Sequence, residues 1–228
     1  MYWNETDQFD TAVPDEVVDL VFALDCRQLP VDHAYTLAAA LLRVCPWMAD
    51  EPLLAIHSVH VAGSQNGWER PAHGTANHLQ VSRRTKLRVR APRARVPDLL
   101  ETLPGTRLEV GDCLLTLGVG TVRSLSQETT LFARHLVAGQ TPDAGENAFL
   151  DAAVNALAAI EIVVRKALCG KTATLATPQG TILARSLLLA NLTTAESLRL
   201  QQQGLGPHRL LGCGIFIPHK GIDAVSNT

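Results

Sequence analysis

Aromatic residues are scarce in this sequence: Phe, Trp and Tyr together make up 4% of 228 residues. Binding modes that rest on stacking many bases against rings are therefore disfavoured. Paired-cysteine motifs are absent. The five cysteines (Cys26, Cys45, Cys113, Cys169 and Cys213) are odd in number, widely spaced and include no CxxC. This pattern indicates neither a zinc ribbon nor a disulfide framework, and reads as reduced thiols serving mostly as small core residues. There is also no HExxH and no pair of carboxylates beside a histidine, so no metal and no cofactor are expected. No apolar run approaches the roughly 18–20 residues that span a bilayer. The first ten residues are acidic rather than basic, unlike a secretory leader. A cytoplasmic protein without a membrane partner is expected.

What is present is a strongly uneven charge. The formal net charge is −2, which alone argues against nucleic acid. Residues 1–60 hold ten acids and two arginines, whereas residues 83–95 hold seven cations and no acid. A local basic stripe can grip phosphates while the whole chain stays near neutral. Arg83, Arg84, Lys86, Arg88 and Arg90 are the candidates; a solvated strand edge that resists aggregation is the alternative. Near the other end lies a second feature. Gly204, Gly206, Gly212 and Gly214 fall within eleven residues and surround His208-Arg209. Such a loop can bring backbone N–H groups close to an anion, with Arg209 as a planar fork, or it can pin a tight crossover. It carries no Gly-Lys-Ser/Thr and is not a nucleotide P-loop.

The order of elements suggests an internal repeat. Val17–Leu24 is β-branched and reads as a strand. Asp32 is placed to cap a helix over His33–Val44, which Pro46 ends. Leu54–Val61 alternates as a second strand, and residues 62–78 form a long polar loop. Lys86–Arg90 alternates as a strand with a cationic face. Val96–Thr102 is a short helix with Pro97 in its first turn, and Leu108–Leu117 holds strand material around Gly111-Asp112. The second half repeats the pattern: a strand over Leu131–Val137, a long helix over Asn147–Leu168, and a hairpin of Lys171–Ala176 with Thr181–Leu189. A helix capped by Thr193 and Glu196 follows, then a last strand over Gly214–Pro218. Strand, helix, strand, strand, helix, strand is the split βαβ of a ferredoxin-like fold. The expected class is α+β, with two tandem ferredoxin-like (RRM-like) domains over 1–120 and 128–228 and a boundary near residues 118–128.

These pieces resemble the RAMP superfamily of CRISPR-associated proteins. More narrowly, the chain resembles the repeat-processing endoribonucleases of the myxobacterial-type branch. The matching residues are Val18–Phe22, Leu29–Tyr35 (LPVDHAY), Ile56-His57, Ser82–Pro92, Glu196–Gln201 (ESLRLQ), Gly204–Gly206 and Gly212–Pro218. The resemblance spans nearly the whole chain. It implies metal-independent cutting of CRISPR repeat RNA into guide RNAs. It also implies retention of the product as a subunit of an effector complex of the Cascade kind, with other Cas subunits as partners. A non-catalytic repeat-RNA-binding assembly subunit is the alternative, and a ferredoxin-like ligand-binding regulator is a third reading. Two departures stand out: loop 62–78 looks like an insertion, and Ala167–Leu188 carries few cations.

Cutting RNA without a metal uses the 2′-hydroxyl as nucleophile. It needs a base, an acid for the leaving 5′-oxygen, and cations for the charge that develops on phosphorus. Histidine suits the proton transfers near neutral pH. In a split βαβ unit the start of the first helix and the end of the second strand share one end of the sheet. His33 is thus the first candidate and His57, which carries the family match, the second, with Tyr35 to orient a histidine or the 2′-hydroxyl. For each histidine, a buried structural role is the alternative. His60 faces the opposite side from His57. Gly204, Gly206, His208, Arg209, Gly212 and Gly214 are assigned to RNA contact through the glycine loop. His73 and His78 lie in the polar loop and are given no role.

Overall fold

The computed structural model describes residues 16–61, 77–139 and 145–219. Residues 1–15, most of the polar loop with His73, and the last nine residues lie outside the described residues. The first half contains β1 (Val17–Asp25), β2 (Gln28–Pro30), α1 (Ala34–Val44), β3 (Ala55–Ile56), β4 (His78–Gln80), β5 (Lys86–Pro92), α2 (Val96–Thr102), β6 (Arg107–Val110) and β7 (Cys113–Arg123). Five of these strands form an antiparallel sheet in the order β3-β5-β1-β7-β6, and β2 pairs with β4 in a small separate ribbon. Alternation explains the layering. Leu20 and Phe22 of β1, Leu87 and Val89 of β5, and Leu115 and Leu117 of β7 point to one face. There they meet Leu37 and Leu41 of α1 and Leu99 of α2 in a single buried cluster.

The second half contains β8 (Leu131–Leu136), α3 (Glu146–Ala159), β9 (Lys166–Thr177), β10 (Gly180–Ala190), α4 (Thr194–Gln203) and β11 (Phe216–Pro218). Its sheet runs β11-β8-β10-β9, again antiparallel throughout. Both halves therefore follow the same path, with the first and third strands of each βαββαβ unit at the centre. The fold is α+β with tandem ferredoxin-like units. Among the described residues, no helix is long and apolar enough to cross a membrane.

Several element boundaries differ from expectation for identifiable reasons. The long helix predicted to Leu168 stops at Ala159. Glu161 adopts φ +58°, the Ile162 N–H turns back to the Leu157 carbonyl, and β9 starts at Lys166. The β-branched run Ile160-Glu161-Ile162-Val163-Val164 favours extended backbone over helix. The strand expected over Leu54–Val61 shrinks to Ala55–Ile56, because the Val59 N–H bonds the His33 ring instead of a neighbouring strand. Asp32 does not cap α1; His33 occupies the N-cap position and no side chain caps it. Residues 118–123, read as part of a turn-rich boundary, complete β7, which pairs with β1 as far as Arg123. The Thr193–Glu196 capping box forms as expected, with the Glu196 N–H donating to Thr193 Oγ1 and the Thr193 N–H donating to Glu196 Oε2.

The segment after β7 is fastened to α4. Gln201 donates from Nε2 to the Ser126 carbonyl at 2.6 Å and accepts the Ser126 N–H at 3.1 Å. Ser197 Oγ donates to the Glu128 carbonyl. The polar residues of the ESLRLQ stretch thus hold the connection between the two sheets.

Candidate functional site

The basic strand divides into two parts. On β5, Leu87 and Val89 face the core while Lys86, Arg88 and Arg90 lie on the opposite face. Arg83, Arg84 and Lys86 are exposed, and the Arg88 side chain is 42% exposed with Nη1 3.5 Å from Asp19. Arg90 is fully buried. Its guanidinium holds the Asp19 carboxylate with two bonds of 2.8 and 3.1 Å and donates to the carbonyls of Gln201 and Phe216. Arg90, expected at the RNA-binding stripe, is thus placed in the interior. It is an interior tie from β5 to α4 and β11, and it presents no face to a phosphate. Replacing Arg84, Lys86 and Arg88 together with alanine should weaken RNA binding. A plot of log K against log salt should become shallower by about 2, from three lost phosphate contacts at about 0.7 each on a single strand. An unchanged slope in the folded variant would remove the stripe from the interface.

The glycine loop is likewise an internal structure. Gly204, Gly206, Gly212 and Gly214 all have positive φ. A side chain at Gly212 would stand 2.3 Å from Ser58 Oγ, and one at Gly206 would stand 2.7 Å from the Val137 carbonyl. The close approach that these glycines permit is to the chain itself. Arg209, expected as a phosphate fork, is bonded within the chain: its guanidinium donates to the carbonyls of Leu53, Leu54, Gln202 and Gln203. Burial, together with nearby Arg90, pushes its pKa down to about 10. It fastens the loop to the segment before β3 and is not a free phosphate fork.

Both leading histidines are interior. His33 is 2% exposed. Its Nε2 accepts the Val59 N–H at 3.0 Å, so its Nδ1 carries the proton that goes to the Pro30 carbonyl at 2.9 Å. A ring with both nitrogens committed to backbone is not placed to move protons on RNA. A cleft beside it, shared with Ser58 and His135, measures about 20 Å³, room for a water but not for a phosphate. His57 stands with Nε2 3.6 Å from Asp19. Burial pushes its pKa down to about 4, Asp19 opposing and Arg90 reinforcing the shift. It is neutral at pH 7 and a weak base. Asp19 itself is pulled below the usual carboxylate range: burial works against this, but Arg90 and the His57 contact outweigh it. His33 and His57, the two leading acid–base candidates, therefore both stand in the interior, bonded to or beside groups of the chain itself.

The sign of the resulting pH dependence follows. The unfolded chain takes up a proton on His57 near pH 6.5 that the folded chain refuses until about pH 4. Stability is full above 6.5 and falls as pH drops toward 4, by about 3 kcal/mol for this group. Asp19 adds a loss only at lower pH, once its unfolded form protonates near 4. Urea midpoints measured from pH 7.5 to 4.5 should fall, and should fall less in His57→Gln. An equal fall in both proteins would show that His57 does not couple folding to pH.

Gly206, Pro207 and His208 are the exposed stretch of the glycine loop, and His208 brings its titratable side chain. It sits at φ +65°, and its carbonyl accepts the N–H groups of Leu211 and Cys213. A left-handed non-glycine residue is uncommon, and the hydrogen bonds hold it there. Its side chain lines two concavities. One, of about 440 Å³, runs between α1 and the loop and is also lined by Tyr35, Ala39 and Glu51. The other, of about 350 Å³, is lined by Phe149, Thr172, Thr181 and Arg185. Tyr35 and His208 therefore share one groove, with Arg185 across the His208 ridge. Arg185 was invisible in the sequence, being a single cation in an apolar strand whose face depends on the β8–β10 bulge at Arg185–Leu187.

Two ferredoxin-like sheets, a glycine loop folded against the first half and a row of exposed cations agree with the resemblance to RAMP proteins. The Cas6 Crispr family model matches residues 18–221, and the chain belongs to that family. It is 31% identical over 201 residues to the CRISPR-associated endonuclease Cas6 of Myxococcus xanthus (strain DK1622), covering 88% of this chain and 81% of that one. Among solved structures, a Cas6-related protein from Pyrococcus furiosus superposes with a TM-score of 0.62 at 11% identity, over 88% of this chain and 97% of that one. A RAMP protein described as binding different RNA substrates superposes with a TM-score of 0.62 at 11% identity, over 89% of this chain and all of that one. These likenesses establish the fold.

Proposed function

We propose that this protein binds CRISPR repeat RNA and cuts the precursor transcript once per repeat. The attacking group is the 2′-hydroxyl, no metal takes part, and the products are a 2′,3′-cyclic phosphate and a free 5′-hydroxyl. The observation that carries the mechanism is the groove shared by Tyr35 and His208, beside a second one that holds Arg185. These are a proton-transfer residue, a hydroxyl that can orient it, and a cation for the charge on phosphorus. Arg83, Arg84, Lys86 and Arg88 supply sequence-independent attraction to the backbone. The cut guide RNA stays bound, and the complex enters an effector assembly with other Cas subunits. The interior positions of His33 and His57 favour a second reading, a repeat-binding assembly subunit without activity.

One experiment separates the two. Repeat RNA incubated with the protein in EDTA should be cut at one position and should carry a cyclic phosphate. A set of repeats bearing a single 2′-deoxy substitution should contain one member that is bound but not cut. No cutting of any repeat at normal affinity would establish the assembly subunit; cutting of every deoxy repeat would exclude 2′-hydroxyl attack.

A further inference from the structure

The sequence shows no metal-binding motif, yet the fold brings His78 against the adjacent pair Asp112-Cys113, 34 positions away in sequence. His78 Nε2 lies 2.9 and 3.1 Å from the two carboxylate oxygens of Asp112, and Cys113 Sγ lies 3.5 Å from Asp112 Oδ1. One ligand atom from each residue falls within 4.8 Å of the others. Four-coordinate zinc, with bonds of about 2.0–2.3 Å, sets its ligands roughly 3.3–3.8 Å apart, so small side-chain movements would open this triangle around an ion. The backbone is already pinned there. Gly111 turns at φ +63°, and a side chain on it would stand 2.9 Å from Pro30 Cγ. Pro30 is in turn the strand partner of His78. The triangle thus joins the β6–β7 turn to the β2–β4 ribbon.

We propose that His78, Asp112 and Cys113 form a binding site for a zinc-class divalent cation that clips the β6–β7 turn to the β2–β4 ribbon. Imidazole and thiolate select such an ion over magnesium or calcium, which prefer oxygen ligands. Asp112, 67% exposed, leaves the fourth position to water. The role is structural. The Pro30 carbonyl accepts the His33 ring proton, so the clip steadies the segment that leads into α1 and takes no part in cutting RNA. The proton balance is defined. Without metal, the Cys113 thiol and the His78 Nε2–H both donate to the Asp112 carboxylate. On binding, the thiol proton leaves to solvent and the imidazole presents Nε2 without its proton to the ion.

The test is a Co²⁺ titration of tag-free, full-length protein under reducing conditions. A thiolate-to-cobalt charge-transfer band in the near ultraviolet should saturate at one ion per chain and be displaced by Zn²⁺. The band should disappear in Cys113→Ser and persist in Cys26→Ser. His78→Gln and Asp112→Asn should weaken binding at least tenfold. Zn²⁺ should raise the melting temperature of the wild type but not of Cys113→Ser. No band in the wild type, or a full band in Cys113→Ser, would overturn the proposal. Repeat RNA cutting in EDTA is read separately, so failure here leaves the nuclease reading standing.

Discussion

Replacing His208 with asparagine should lower the rate of repeat cutting by roughly two to four orders of magnitude, the usual scale for a single acid–base group, with RNA affinity changed only a few-fold. Asparagine is the informative substitution because residue 208 is left-handed at φ +65°, and asparagine tolerates that conformation better than alanine does. The loop should therefore keep its shape, and loss of rate reports chemistry rather than refolding. Tyr35→Phe keeps the ring and should slow cutting by a smaller factor. His33→Ala provides the contrast. It removes the partner of both the Val59 N–H and the Pro30 carbonyl, so stability should fall by about 1–3 kcal/mol. Any activity it loses should return at low temperature, where the variant is folded. A full rate in His208→Asn would return the proton transfers to an interior histidine that moves on binding RNA.

The fold was legible in the sequence because its signals are local. Leu87 and Val89 alternate with Lys86, Arg88 and Arg90, and that period of two gives β5 its two faces. Thr193 and Glu196 announce α4 three residues apart. Glycines at 204, 206, 212 and 214 announce backbone that only they adopt comfortably. The site was not legible to the same degree, because what decides a residue's role is what covers it. Arg88 and Arg90 are equivalent in the strand pattern. One is partly open, and the other is sealed under α4 and β11, more than a hundred positions away in sequence. His33 and His208 are both histidines beside turn residues. One has its ring nitrogens bonded to backbone, and the other stands at a groove. The triangle of His78, Asp112 and Cys113 escaped notice for the same reason: His78 lies 34 positions from the Asp112-Cys113 pair until β4 and the β6–β7 turn meet.

Removing Arg90 should be among the most damaging single changes in this protein. In Arg90→Met the volume is nearly kept, but Asp19, 4% exposed, loses its two charged hydrogen bonds. The Gln201 and Phe216 carbonyls lose their donors at the same time. Breaking a buried pair from one side costs about 3–5 kcal/mol, because the remaining charge stays in the interior without compensation. Arg88 and His57 stand 3.5 and 3.6 Å from Asp19 and can offset only part of this. Arg90→Lys should fall between, since an ammonium keeps the charge but not the planar fork that spans both oxygens. Asp19→Asn combined with Arg90→Met should recover part of the loss by removing the stranded charge. Urea unfolding of the four proteins at pH 7.5 measures the order directly. Because Arg90 joins the first sheet to α4 and β11, Arg90→Met should also split the transition, with the two halves unfolding at separate midpoints. A single transition within 1 kcal/mol of the wild type would mean that the guanidinium is not what holds the halves together, and that the glycine loop and Arg209 carry the junction instead.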